Sequence, residues 1–209
     1  MDVQRFRRLN RDECKDEIRR HWDIDVKDFV ILFVSMNFEI KGLAELMAGL
    51  AKLKSKYPLQ KFKLLVIGKG NVNKFRELAR QLGIQDHIRF LGVVHKEALD
   101  RIYLAGDIFI MLSKFDTFGI AVLEAMAASL PVVISKNAGA KDIVRQGING
   151  FVLENAINPD EIADKIGLLV KEESRFRIAE EAFKISSMYT WEVAARKAEN
   201  IYKDLLGDK

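Results

Sequence analysis

Two short stretches of the 209-residue chain bring a charged side chain and a glycine to the point where a helical pattern begins. Met36-Asn37-Phe38-Glu39-Ile40-Lys41-Gly42 carries a lysine at its end, and Lys114-Phe115-Asp116-Thr117-Phe118-Gly119 runs directly into a helical segment starting at Ile120. A helix N-terminus presents unpaired N–H groups and the positive end of a dipole. Gly119 lets backbone approach a ligand with no Cβ in the way. A lysine from one side and amides from the other make a cradle for an anion such as a diphosphate. Glu124 lies inside the second helix, between Leu123 and Ala125-Met126-Ala127. A carboxylate buried in so apolar a turn needs a partner. A ribose diol is one such partner, since it offers two donors in charge-assisted bonds of about 1.5–3 kcal/mol each. An exposed helix glutamate is the other reading, and residue types alone do not separate the two.

Those loops need a scaffold, and the chain supplies one by alternation. Six short apolar runs read as strands: Phe29–Val34, Leu64–Ile67, Ile88–Leu91, Ile108–Leu112, Val132–Ile134 and Gly150–Leu153. The first is almost wholly apolar, as expected of a strand buried on both faces. Helical stretches separate them: Gly42–Ser55, Asn73–Leu82 stopping at Gly83, Lys96–Leu104, Ile120–Ala128 and Ala140–Gln146. One short helix, Arg11 to His21 with Asn10 as N-cap and Glu13 three residues on, precedes the first strand. Beyond residue 158 the pattern is helical only, opening at Asn158-Pro159 and continuing over roughly 174–186 and 190–206. The expectation is α/β: a doubly wound parallel sheet of about six strands, Rossmann-like, with C-terminal helices over 159–209, all in a single domain spanning 1–209. If the strand order is 3-2-1-4-5-6, it reverses between the first and fourth strands, and ligands bind beyond their carboxyl ends. That rule selects Ser35–Lys41 and Ser113–Gly119, the two loops with the unusual chemistry.

Composition narrows the class. Lys and Arg number 34 against 30 Asp and Glu, a net charge of +4, and 49% of residues are hydrophobic, enough for a substantial core. Arg5, Arg7, Arg8, Arg11, Arg19 and Arg20 cluster early. Acidic residues interrupt them, so they read as a solvated lead-in rather than a nucleic-acid or membrane surface. One cysteine, Cys14, excludes an internal disulfide and a cysteine-based zinc site, which suits a reducing cytoplasm. No apolar run reaches the roughly eighteen residues of a membrane span, and the first residues lack a signal-peptide core. No G-x-G-x-x-G follows the first strand and no phosphate-loop lysine motif occurs, which disfavours a dehydrogenase or nucleoside triphosphatase. Ser113 lacks a nucleophile-elbow context. His21, His87 and His95 show no metal spacing, His95 reads as a surface residue, and Trp22 and Trp191 read as packing residues.

Asp116-Thr117-Phe118-Gly119-Ile120-Ala121-Val122-Leu123-Glu124-Ala125-Met126 followed by Leu130-Pro131-Val132-Val133 resembles the signature of glycosyltransferase family 4, of the GT-B fold. That signature has two acidic residues separated by seven others. Lys41-Gly42, Gly68-Lys69-Gly70, Phe90-Leu91-Gly92, Asn137–Val144 and Gly147–Phe151 resemble further family segments, and Asp2–Phe6 resembles the stretch just after an interdomain linker, so residues 1–28 read as linker-derived. The resemblance implies a retaining, metal-independent glycosyltransferase that uses a nucleotide-diphosphate-sugar, UDP-sugar above others, and no cofactor. It implies catalytic roles for Lys41 on the diphosphate, Asp116 on the donor sugar and Glu124 on the ribose. The donor site would further include Met36, Asn37, Gly42, Gly68, Phe118 and the amides around Gly119 and Ile120, with backbone near Val93 and Val94 facing the base. An acceptor saccharide or lipid would be held by a second, N-terminal Rossmann domain, excised or carried by a separate subunit; excision fits the linker-like beginning. The chain alone would bind donor and transfer little. The full enzyme would be cytoplasmic or peripheral at the inner face of a membrane, with no nucleic-acid partner.

Four positions depart from the family pattern. Asp116 stands where Glu is usual, shortening its reach by one bond, about 1.5 Å. Met36 occupies the place of a common arginine five residues before the lysine, which removes one charge opposite the diphosphate. Ser129 replaces a common glycine and Asp142 a frequent glutamate. A nucleotide-sugar epimerase-like domain and a non-catalytic nucleotide-sugar-binding or regulatory subunit are the competing readings.

Overall fold

The computed structural model describes residues 2–207; the ends of the expected domain span, Met1, Asp208 and Lys209, lie outside them. The chain opens with a four-residue helix, α1 (Gln4–Arg7), and α2 (Arg11–His21). Sequence reading foresaw only the second. α2 starts where expected, with Asn10 accepting from the Asp12 and Glu13 amides. α1 is set by Asp2, which accepts from the Gln4 amide at 3.0 Å, and by Phe6, which is buried. Next come β1 (Phe29–Ser35), α3 (Leu43–Lys56), β2 (Phe62–Gly68), α4 (Val72–Gln81) and β3 (Ile88–Gly92). The second half runs α5 (Lys96–Ala105), β4 (Ile108–Met111), α6 (Ile120–Ala127), β5 (Val132–Ser135) and β6 (Gly150–Leu153). Three helices close it: α7 (Pro159–Val170), α8 (Glu172–Ser186) and α9 (Trp191–Leu206).

All strand pairs are parallel, in the order β3-β2-β1-β4-β5-β6. The order reverses between β1 and β4, as the doubly wound reading requires. Period-two alternation divides the apolar strand residues between two cores. Val30, Leu32, Leu65, Ile67, Phe109 and Met111 face the layer of α2, α5 and α6. Ile31, Phe33, Leu64, Val66, Ile108 and Ile110 face α3, α4 and α7.

The expected helix over Ala140–Gln146 is instead a 3₁₀ turn, Gly139–Ile143. Asn149, fully buried, donates to the Ile143 carbonyl at 2.9 Å and accepts from the Arg145 amide at 2.6 Å. These bonds take the backbone groups that would have continued the helix.

Arg7, Arg8 and Arg20 are exposed, as a solvated lead-in requires, but Arg5, Arg11 and Arg19 are not. Arg19 is buried and donates to the Asp25 and Asp28 carbonyls and to Asp107, while Arg11 donates to the Leu104 and Ala128 carbonyls. Asp107, at the amino end of β4, also accepts from the Val30 amide at 2.8 Å and lies near Lys15 and Arg175. Arg11 and Arg19 therefore fasten α2 to the rest of the fold, Arg19 at the amino ends of the strands.

Trp191 is also unlike the packing residue expected, at 67% exposed. It belongs to α9, which buries none of its residues and carries Ala194, Ala198, Ile201, Tyr202 and Leu205 at helical spacing. A helix that buries so little adds little to the fold. Deleting the chain from residue 190 onward is expected to change the unfolding free energy by less than about 1 kcal/mol in urea titration. A larger loss would show that α9 supports the sheet. Among the described residues, no helix is long and apolar enough to cross a membrane.

Candidate functional site

A cleft of about 430 Å³ opens beyond the carboxyl ends of β1 and β4, where the strand order reverses. From the β1 side it is lined by Ser35, Met36 and Lys41, from β2 by Ile67 and Gly68, and after β3 by Val93 and Val94. From the β4 side come Asp116, Thr117, Phe118, Gly119 and Ile120, with Leu99 and Ala121 closing a wall. Its volume lies within the range of small-molecule sites. A larger concavity of about 570 Å³ lies at the opposite, amino end of the sheet, around Arg19, Asp28, Lys61 and His87. Its walls include the Arg19 side chain already committed to Asp107 and backbone carbonyls, and it is remote from the strand-order reversal. The smaller cleft is the better candidate.

The two helices that follow the cleft loops, α3 and α6, begin alike. Gly42 and Gly119 are their N-caps, both left-handed at φ 78° and 83°, and neither helix has a side-chain cap. The Leu43 amide of α3 is taken by the Phe38 carbonyl at 3.0 Å, whereas α6 opens on the cleft at Gly119 and Ile120, an uncapped helix N-terminus suited to an anion. The two loops are also tied together. The Lys114 amide donates to the Ile40 carbonyl at 2.8 Å, and Lys41 Nζ lies 3.0 Å from Asp116 Oδ2 and 3.3 Å from the Phe115 carbonyl. Both partners of that ion pair are mostly shielded, with side chains 22% and 11% exposed. Lys41 is thus held at the cleft wall, its Nζ paired with the Asp116 carboxylate.

Of the twelve residues singled out from sequence, nine line this cleft: Met36, Lys41, Gly68, Val93, Val94, Asp116, Phe118, Gly119 and Ile120. Asn37, Gly42 and Glu124 do not. Asn37 closes the turn after β1, its side chain accepting from the Ile40 amide at 3.0 Å and its carbonyl from Ser35 Oγ and the Lys41 amide. Gly42 starts α3 against the Leu112 carbonyl. Glu124 is not the exposed helix glutamate that one of its readings offers. It is half-buried, with Oε1 2.7 Å from Arg5 Nη2 and Oε2 accepting from the Tyr103 hydroxyl at 3.2 Å. Burial, and after it the Glu124 carboxylate, push the Tyr103 phenol well above its ordinary value. Burial likewise raises Asp100, beside Arg5, although the guanidinium pulls the other way. Sequence reading missed Leu99 and Ala121, whose approach to the cleft depends on how α5 and α6 pack, and it missed Arg5, which reaches Glu124 across 119 residues of chain. His95 is exposed and outside the cleft, a surface residue as expected.

Residues 14–185 match the family model described as glycosyl transferases group 1. The chain belongs to this family. A group 1 relative of similar sequence is an uncharacterized glycosyltransferase of Methanocaldococcus jannaschii, 31% identical over 194 residues, covering 91% of this chain and 49% of that protein. The chain thus spans about half the length of the curated relatives it matches. Among solved structures, a glycosyltransferase from Rickettsia africae superimposes with a TM-score of 0.87 at 24% identity, covering 100% of this chain and 56% of that one. Anabaena HepE, solved in complex with UDP and glucose, gives a TM-score of 0.84 at 22% identity over 97% of this chain and 55% of its own. These likenesses show the Rossmann-like half of the GT-B fold.

Proposed function

We propose that this chain is the donor-binding half of a retaining glycosyltransferase that takes its sugar from a nucleotide-diphosphate-sugar, a UDP-sugar above others. The observation that carries the reading is convergence. Lys41 and the uncapped N-terminus of α6 meet over a single cleft at the strand-order reversal. The complex of Anabaena HepE with UDP and glucose, a protein of the same fold, supports the choice of donor. Lys41 and the amides of Gly119 and Ile120 hold the diphosphate, Asp116 meets hydroxyls of the sugar, and backbone at Val93 and Val94 faces the base. Glu124 meets the ribose from one helical turn beyond Ala121. Transfer breaks the bond between the anomeric carbon and the diphosphate oxygen and forms one from that carbon to an acceptor hydroxyl oxygen, whose proton passes to the departing diphosphate. The electron pair leaves with the diphosphate, where the positive cradle stabilises it. The acceptor, a saccharide or lipid, is held by a second domain, so this chain alone binds donor without efficient transfer.

Calorimetric titration with UDP, GDP, ADP and NAD tests the reading. UDP is expected to bind at about 0.01–1 mM, more tightly than the others. Lys41→Ala is expected to weaken it about tenfold or more, the value of a charge-assisted contact of 1.5–3 kcal/mol. No binding of any nucleotide by the folded chain would sink the donor reading and bring a non-catalytic role forward. Transfer that stays absent when the chain is joined to a complete N-terminal half would leave a nucleotide-sugar-binding subunit.

A further inference from the structure

Behind the cleft wall lies a charged cluster in which Glu124 is joined by three residues with no role above, Arg5, Asp100 and Tyr103. Arg5, on α1, is 12% exposed at its side chain. Its Nη2 lies 2.7 Å from Glu124 Oε1 and its Nε 3.1 Å from Asp100 Oδ1. The guanidinium sits over the Phe6 ring at 4.7 Å, and Phe6 meets Tyr103 edge-on at 6.0 Å. Tyr103 donates to the other oxygen of Glu124. Three helices, α1, α5 and α6, thus supply one cluster, and two of them present its immediate neighbours to the cleft. Leu99 precedes Asp100, and Ala121 lies one helical turn before Glu124.

The geometry is biased toward Glu124. Arg5 Nε and Asp100 Oδ1 are close, yet both are buried without an aligned hydrogen bond. The Arg5–Glu124 contact is short and aligned. A guanidinium serving only to pin α1 to the core would be expected to align with the more buried Asp100, and Val3 and Phe6 already pin that helix. An ionised carboxylate has about four lone-pair directions. Arg5 and Tyr103 each occupy one, on different oxygens, which leaves one on each oxygen. That is the acceptor pair a vicinal diol needs.

We propose that Arg5 is a positioning residue for ribose recognition: it holds the Glu124 carboxylate so that its two remaining lone pairs meet the 2′- and 3′-hydroxyls of the donor nucleotide. The inference rests on the donor reading of the cleft. It makes the first residues of the chain part of nucleotide selection, because Arg5 is carried by α1 and not by the sheet. Arginine is specified over lysine, since a planar fork fixes a carboxylate where a point charge lets it rotate.

The test compares UDP with 2′-deoxy-UDP by calorimetry on wild type, Arg5→Gln, Arg5→Lys, Glu124→Gln and the Arg5→Gln/Glu124→Gln double variant, with thermal melting to confirm folding. Wild type is expected to prefer UDP about tenfold. Arg5→Gln brings the ratio near one while leaving 2′-deoxy-UDP affinity within about twofold, and Arg5→Lys keeps an intermediate ratio. The double variant is no worse than Glu124→Gln, because the two act as one unit. A folded Arg5→Gln chain that retains the full preference overturns the proposal, as does an equal loss of both nucleotides, which is what a purely structural role would give. If Arg5→Gln does not fold, the Arg5→Lys ratio decides in the same way. A wild type that binds neither nucleotide defeats the donor reading first. One that binds UDP with a preference destroyed by Glu124→Gln but untouched at Arg5 defeats this inference alone.

Discussion

Replacing Gly68 by alanine is expected to lower stability by about 3–5 kcal/mol and to abolish nucleotide binding, as strain and overpacking at one backbone position add together. Gly68 ends β2 with φ at 115°, a conformation that residues with a side chain rarely adopt. A Cβ there would lie 1.8 Å from the Ser35 carbonyl oxygen and 2.6 Å from its carbon. Both are backbone atoms of the neighbouring strand, so no rotamer change relieves the contact. Ser35 and Gly68 are also register partners, and the Lys69 amide donates to that same Ser35 carbonyl at 3.0 Å. Parting the two strand ends opens the floor of the cleft beneath Met36 and Lys41. Urea denaturation together with UDP titration measures both effects. An alanine variant that unfolds at the wild-type midpoint would show that the backbone moves aside at little cost.

The second large effect belongs to the other end of the sheet. Asp107→Ala is expected to cost about 3–5 kcal/mol, as removing one member of a buried charge pair does. The Asp107 side chain is 8% exposed and lies 3.2 Å from Arg19, 3.4 Å from Lys15 and 3.9 Å from Arg175, while accepting the Val30 amide at 2.8 Å. Its loss strands a buried guanidinium and unpairs a strand amide at the β1–β4 junction. Asp107→Asn keeps an acceptor for Val30 without the charge, so about half the loss is expected. UDP affinity of either folded variant should match wild type, because the cleft lies at the carboxyl ends. Unfolding free energy within about 1 kcal/mol of wild type for Asp107→Ala would remove it as the tie between β1, α2 and α8.

Much of this was legible in the residues. The six strands were readable because parallel strands buried on both faces are continuous apolar runs, as Phe29–Val34 is. The reversal between β1 and β4 then selected the two loops that line the cleft. Local signals also served where the partner is local: Asn10 and Asn158 cap the helices they precede. The failures share a different cause. The 3₁₀ turn at Gly139–Ile143 depends on Asn149, and the fate of Arg5, Arg11 and Arg19 depends on Asp107, Glu124 and carbonyls as far away as Ala128. A guanidinium looks the same in sequence whether it faces water or a carboxylate brought near by folding. The partners of Glu124 inside the fold were hidden for that reason, since Arg5 lies 119 residues from it along the chain.

The separation of the two ends of the sheet has an evolutionary consequence. The charges that fasten strands to helices gather at the amino ends, around Asp107, while the cleft is made by loops at the carboxyl ends. Mutations that retune what the loops hold can therefore accumulate without eroding the scaffold. Met36 and Asp116, the departures that line the cleft, sit beside strands whose register is intact. Drift in what the loops hold and persistence of the fold draw on different residues, so a lineage of such chains can reshape its cleft long before its architecture feels the change.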